Sequence, residues 1–224
     1  MGGGGGGGGA AAGGCAAAGG AAWGRFDVRI DGRQPLLRVV ESMMNWRSRL
    51  SGIATITRTM VEAVAGTGTK ILDTRKTTPG LRHLEKWAVR TGGGFNHRFG
   101  LYDMIMLKDN HIDYAGGITQ AVQNTVNYLK NKQLQLDIEV ETRNLDEVEE
   151  ALQLESVKRI MFDNFTPADM RIAVQRVKGQ KETEASGGIT LSNVRQYAET
   201  GVDFISVGAL THSVKSLDIS LKEF

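Results

Sequence analysis

At 224 residues, with 27 Lys or Arg against 25 Asp or Glu, the chain can build one substantial core, and its net charge of +2 gives no argument for a nucleic-acid partner. A single cysteine, Cys15, excludes an intrachain disulfide and points to a reducing cytoplasm. No apolar run is long enough to span a bilayer, so no membrane partner is expected.

In chain order, residues 1–22 are almost wholly Gly and Ala, with neither the charged start nor the apolar middle of a secretory signal, and are expected to form a disordered tail. From Trp23, Phe26, Val28 and Ile30 alternate with Asp27 and Arg29. Asp31-Gly32 then makes a turn before residues 36–40, a pattern that predicts a β-hairpin over 23–40. Over 41–65, Leu50, Ile53, Ile56, Thr57, Met60, Val61 and Val64 recur at three- and four-residue spacing, predicting a long helix closed by Gly66.

Strands are then predicted near 70–74, 103–108, 136–141, 159–163, 181–185 and 203–208, with helices near 80–91, 117–130, 144–154, 167–177 and 190–200. This alternation means a parallel α/β sheet, open or rolled into a barrel. Asp137, Glu139 and Glu141 share one face of their strand, which a flat sheet covered on both sides rarely tolerates and a barrel with a polar mouth accepts. The last two strands end in Ser186-Gly187-Gly188 and Gly208-Ala209, each before a helix start, where barrels hold phosphate.

The window from Lys70 to His111 carries eight Lys or Arg against four Asp or Glu, so the basic character is local and suits a small polyanion. Within it, Arg75 and Lys76 follow the first barrel strand, where a guanidinium grips a carboxylate with two bonds and an ammonium supplies a compact charge. The reading of the pair as a solvated strand end stays open on these residues alone. His97 and Arg98 follow Gly92-Gly93-Gly94, a turn able to bring backbone close to a ligand; His97 is equally a structural donor. Lys108 closes an apolar strand before Asp109-Asn110-His111, a position open to Schiff-base chemistry as in aldolases. Glu139 and Asp163 are read as ending the next two strands, opposite these cations, with Glu141 one layer deeper as a structural partner. Their alternatives are Mg²⁺, a ribose hydroxyl, a developing cation or plain salt bridges. The spacing of His83, His97 and His111 matches no zinc site.

Five motifs in order, DTRKTTPG at 73–80, the GGG-x-NHR-x-GLYDM run at 92–104, KDNH at 108–111, EASGGIT at 184–190 and SVGALTHS at 206–213, resemble the quinolinate phosphoribosyltransferase family. The resemblance runs from about Trp23 to the C-terminus. It implies an incomplete, open α/β barrel of the type II phosphoribosyltransferase kind over 41–224, with 23–40 as the remnant of an N-terminal domain. It further implies conversion of quinolinate and phosphoribosyl pyrophosphate to nicotinate mononucleotide, pyrophosphate and carbon dioxide in de novo NAD biosynthesis, with Mg²⁺, in a homodimer.

Carried onto this chain, the resemblance gives the pyridine dicarboxylate to Arg75, Arg98 and Lys108 with help from His97, with Thr74 and Lys76 in the same anionic pocket. It gives the ribose and metal to Glu139 and Asp163, and makes Lys108, Glu139 and Asp163 the catalytic group. The 5′-phosphate falls to the backbone of Ser186, Gly187, Gly188, Val207, Gly208 and Ala209. One expected residue is missing: the family's arginine that reaches the partner's pocket is replaced by Glu41, or by Ser42 if one residue is deleted, with Arg47 and Arg49 the nearest substitutes. Two rivals stand beside this reading: a silent phosphate-binding barrel and an aldolase acting through Lys108.

Overall fold

The structure, a computed structural model, describes residues 35–218. Its elements run α1 (Pro35–Ala63), β1 (Lys70–Leu72), α2 (Arg82–Thr91), β2 (Ile105–Leu107), α3 (Asp109–Ala115), α4 (Ile118–Lys132) and β3 (Ile138–Thr142). Then come α5 (Leu145–Leu152), β4 (Val157–Asp163), α6 (Pro167–Val177), β5 (Glu182–Ser186), α7 (Val194–Ala198), β6 (Phe204–Ser206) and α8 (Ala209–His212).

The six strands are parallel in the order β1-β6-β5-β4-β3-β2, with β1 and β2 at the two edges of an open barrel. A stub strand follows β1's free edge: Phe95 N donates to Ile71 O at 2.8 Å and Asp73 N to Phe95 O at 3.2 Å. Across the remaining seam, Arg98 donates from Nη1 to Met104 O at 3.2 Å and sets Nη2 3.6 Å from Met106 Sδ, so side chains rather than a ladder bridge the gap. The sheet's curl is visible in its interior. His97, on the stub, lies 3.1 Å from Glu139 of β3 and 3.3 Å from Glu184 of β5.

Strand periodicity divides the side chains into two sets. Ile71, Val140, Ile160, Phe162, Ala185 and Ile205 are buried together with Val89, Val122, Val148, Met170, Val194 and Leu210 of the helices in one apolar cluster. Each of these Val, Leu, Ile, Phe and Met side chains contributes roughly 1.5–3 kcal/mol by leaving water. The other set points inward. Arg159 of β4 donates to Glu182 and Glu184 at 2.9–3.0 Å and stacks 4.1 Å from the Phe204 ring, closing the lower barrel with paired charge instead of aliphatic side chains.

Local chemistry starts the helices where it should. Asn144 accepts from Asp146 N and Glu147 N ahead of α5, and Thr166 accepts from Asp169 N ahead of α6, with Pro167 in the first turn. Helix α3, absent from the expected elements, has the same explanation: His111 Nδ1 accepts from Lys108 N at 3.1 Å, so the KDNH box is partly a helix start.

Two expectations are corrected. Residues 36–40 open α1 instead of forming the second strand of a hairpin, because Pro35 is pre-set for a first helical turn and the helix runs unbroken for 29 residues; the hairpin's first strand lies outside the described residues. Gly92 and Gly94 serve packing. A Cβ on Gly92 would come within 2.4 Å of Ala54 O and one on Gly94 within 2.7 Å of the Thr57 side chain, so they let the stub lie against α1. Among the described residues no helix is long and apolar enough to cross a membrane.

Candidate active site

In a parallel barrel the strand ends converge on one rim, and most of the anticipated residues stand there. Thr74, Arg75 and Lys76 follow β1, Arg98 follows the stub, Lys108 follows β2, Asp163 closes β4, Ser186 closes β5 and Gly208 follows β6.

Arg75 buries its Nε with no hydrogen-bond partner. Arg98 feels it: burial first, then the charge of Arg75, holds Arg98 below the usual arginine range. Two guanidiniums kept together against repulsion, one with an unpartnered buried donor, form a site that an anion with two carboxylates completes. Lys76 lies further round. A Cβ on Gly208 would meet its Cδ at 3.7 Å, and Thr211 Oγ1 donates to its carbonyl at 2.8 Å, so it stands over the β6–α8 loop.

The carboxylates invert the order expected for them. Strands run toward the rim, so Glu141 is the upper residue of β3 and Glu139 the lower. Glu141 is ion-paired with Lys108. Glu139 is fully buried, and it neither ends its strand nor faces the rim. Asp163 does end its strand, half-buried, with one oxygen accepting from Asn164 Nδ2 at 2.8 Å. Glu141, rather than Glu139, therefore shares the rim with Asp163. Glu141 is the inward-facing residue nearest the strand end at Thr142, so placing that end would have found it. Lys108, ion-paired and 45% exposed, lacks the desolvated surroundings that a Schiff-base nucleophile requires.

Beneath the rim, His97 spends its backbone N–H, its carbonyl and Nδ1 on neighbouring protein groups, while Nε2 stands 3.1 Å from Glu139 and 3.3 Å from Glu184 without a well-aligned hydrogen bond. Its N–H donates to Asp73, its carbonyl accepts from Lys86, and Nδ1 accepts from Arg98 N at 2.6 Å. In the neutral ring, with Nδ1 accepting, the one proton sits on Nε2, facing Glu139 and Glu184. Burial lowers the His97 pKa, but the carboxylates of Glu139 and then Glu184 facing Nε2 more than reverse this, pushing it up to about 9. Burial and the charge of Glu184 push Glu139 up to about 7. Three donor atoms of His97, Glu139 and Glu184 lie within 4.8 Å of one another. A protonated Nε2 donates rather than ligates, so this cluster is a proton-holding core and a poor metal centre. The hard oxygens of Glu141 and Asp163 are the set at the rim that fits Mg²⁺.

Opposite lie two glycine loops. Gly187 has φ +94° and Gly188 φ +60°, and their amides, like that of Gly208, meet no acceptor among the described residues. Val207 departs from its expected part. Its N–H is spent on Leu72 O at 3.0 Å and its side chain is buried, so it holds the loop without offering an amide to phosphate. Near the front of the chain, Arg49 is committed within its own subunit to Glu85 at 2.8 Å, Thr78 at 2.7 Å and Thr211 O at 3.3 Å.

The model of the quinolinate phosphoribosyl transferase C-terminal domain matches residues 53–222. The chloroplastic nicotinate-nucleotide pyrophosphorylase (carboxylating) of Arabidopsis thaliana is 49% identical over 209 residues, 87% of this chain and 60% of that protein. The probable enzyme of the same name from Bacillus subtilis is 49% identical over 179 residues, 80% of this chain and 61% of that protein. Among solved structures, NadC from Streptococcus pyogenes superposes with a TM-score of 0.77 at 41% identity, covering 84% of this chain and 65% of that one. The nicotinate-nucleotide pyrophosphorylase of Francisella tularensis gives 0.73 at 43%, covering 81% and 65%. The chain spans about three-fifths of the length of the curated relatives it matches.

Proposed function

Because the chain belongs to the quinolinate phosphoribosyl transferase family, we propose that it transfers the phosphoribosyl group of phosphoribosyl pyrophosphate to quinolinate, releasing pyrophosphate and carbon dioxide and forming nicotinate mononucleotide for NAD biosynthesis. The observation that carries this reading is the pair Arg75 and Arg98, held together with an unpartnered buried donor between the Lys76 and Lys108 ends of the rim.

In this reading Arg75, Arg98 and Lys108 take the two carboxylates and turn the ring nitrogen toward the ribose. The nitrogen forms a bond to the ribose C1′ as the bond to pyrophosphate breaks. Positive charge develops on the sugar, and Glu141 and Asp163 supply negative charge next to it. Both are hard oxygen donors of the kind Mg²⁺ takes, and the ion's chemistry there is to neutralise the pyrophosphate. The amides of Gly187, Gly188 and Gly208, with the ammonium of Lys76, suit the 5′-phosphate. Once the nitrogen is alkylated, the ring accepts the electron pair of the breaking C2–carboxylate bond, carbon dioxide leaves and C2 takes a proton from solvent.

We further propose a homodimer through the apolar groove between α1 and α2, where Met43, Trp46 and Trp87 are exposed, in a reducing compartment such as the cytoplasm. The rival silent barrel is favoured by one feature, the expected replacement of the family's arginine by Glu41, or by Ser42 if one residue is deleted. It concerns the strength of the dicarboxylate grip more than the reaction. Calorimetry with each ligand tests the assignment: quinolinate and phosphoribosyl pyrophosphate should both bind, and failure of quinolinate to bind would defeat it.

A further inference from the structure

Asp73 is fully buried, two residues before Arg75, and belongs to none of the ligand-facing groups above. Its Oδ1 accepts from Lys86 Nζ at 2.5 Å and from His97 N at 2.9 Å, and its Oδ2 accepts from Asn96 Nδ2 at 2.5 Å. Lys86, on α2 and only 2% exposed, adds a bond to His97 O at 3.0 Å, and Asn96 returns one to Lys86 O at 2.9 Å. One carboxylate beside Arg75 thus fixes the two residues immediately before Arg98.

Such a pair is a poor device for stability. Burial pushes the Asp73 carboxyl up and the Lys86 amine down, their mutual attraction offsetting only part of this. Well-packed apolar residues of similar volume are commonly as stable or more so. What an apolar pair cannot do is hold the His97 backbone and the Asn96 side chain, just before Arg98, at a set distance from residue 73, just before Arg75, through directed bonds.

Building on the functional reading above, we propose that Asp73, locked by Lys86, is the positioning residue that sets the spacing of Arg75 and Arg98, and with it the preference for an aromatic ring carrying two adjacent carboxylates over one carrying a single carboxylate. Asp73 acts through the two arginines and touches no substrate itself.

The test is Asp73→Asn, which keeps an acceptor for His97 N but turns an amide donor toward the donor of Asn96. Asn96→Ala is the second variant; its exposed site leaves the fold intact if Asp73→Asn does not fold. Calorimetry with quinolinate, nicotinate and phosphoribosyl pyrophosphate is run beside amide hydrogen exchange over 95–99. Asp73→Asn should loosen those amides and weaken quinolinate about tenfold or more, Asn96→Ala about threefold, with phosphoribosyl pyrophosphate unchanged and the quinolinate-to-nicotinate preference reduced. Equal weakening of all ligands, or loosened amides with unchanged quinolinate binding, would overturn the proposal. A wild-type chain that takes up no quinolinate would sink the functional reading and this proposal with it, and the wild-type arm shows that case separately.

Discussion

Glu139 and Glu141 stand two residues apart on the inner face of β3, yet one is sealed against His97 and Glu184 while the other meets Lys108 at the rim. Chemistry should follow the upper residue. Glu141→Gln is expected to lower kcat about a hundredfold, since it removes charge facing the developing ribosyl cation, with little loss of melting temperature. Glu139→Gln should keep kcat within a few-fold. The reverse pattern in steady-state kinetics would return the ribose-facing role to Glu139.

The buried cluster makes stability depend on pH with a definite sign. Glu139, raised to about 7, is a carboxyl whose protonated form the fold favours. The folded chain therefore binds the extra proton between the ordinary carboxylate range and pH 7, and stability is lost as pH rises through that window. His97, raised to about 9, adds a loss of the same sign up to that pH. Glu139→Gln mimics the protonated acid, so its stability relative to wild type should rise by about 1–3 kcal/mol between pH 5 and pH 8. Thermal unfolding of both proteins across that range checks this, and parallel curves would remove Glu139 as the source.

Arg98→Lys is expected to be far from conservative. Arg98 already spends Nη1 on Met104 O across the barrel seam. A lysine keeps the charge but cannot bridge the seam and grip a carboxylate in parallel, so quinolinate affinity should fall roughly tenfold to a hundredfold. An unchanged quinolinate KM would take Arg98 out of the pocket.

Gly187→Val is predicted to damage the phosphate side alone. Gly187 has φ +94°, and a Cβ there would fall 2.2 Å from the Asn164 side chain and 2.9 Å from its backbone N. The loop after β5 must shift, so phosphoribosyl pyrophosphate binding should weaken at least tenfold while quinolinate binding survives. Calorimetry that finds both ligands equally weakened in a folded protein would contradict this division of the rim.

Alternation, acid placement and loop glycines made the open barrel legible, because strand and helix periods are local properties of the chain. The same locality limits it. The depth of Glu139 against Glu141 depends on where β3 ends, and one two-residue step separates rim from interior. The role of Gly92 and Gly94 depends on α1, some forty residues earlier. Residues 36–40, Leu-Leu-Arg-Val-Val, carry no alternation to set against a proline placed to start a helix. Asp73 and Lys86 read as ordinary charges because nothing local shows that both will be buried together.

The central claim is that this rim performs the whole transfer, and the most direct measurement is the formation of nicotinate mononucleotide by the purified chain from quinolinate and phosphoribosyl pyrophosphate, with released carbon dioxide counted and Mg²⁺ present or withheld. The account predicts nucleotide and carbon dioxide in equal amounts, dependence on Mg²⁺, and a penalty concentrated in the quinolinate KM, as proposed from Glu41, or Ser42 if one residue is deleted, at the position of the family's arginine. Both substrates binding with no nucleotide formed would contradict it and identify a barrel that binds phosphate without catalysing the transfer.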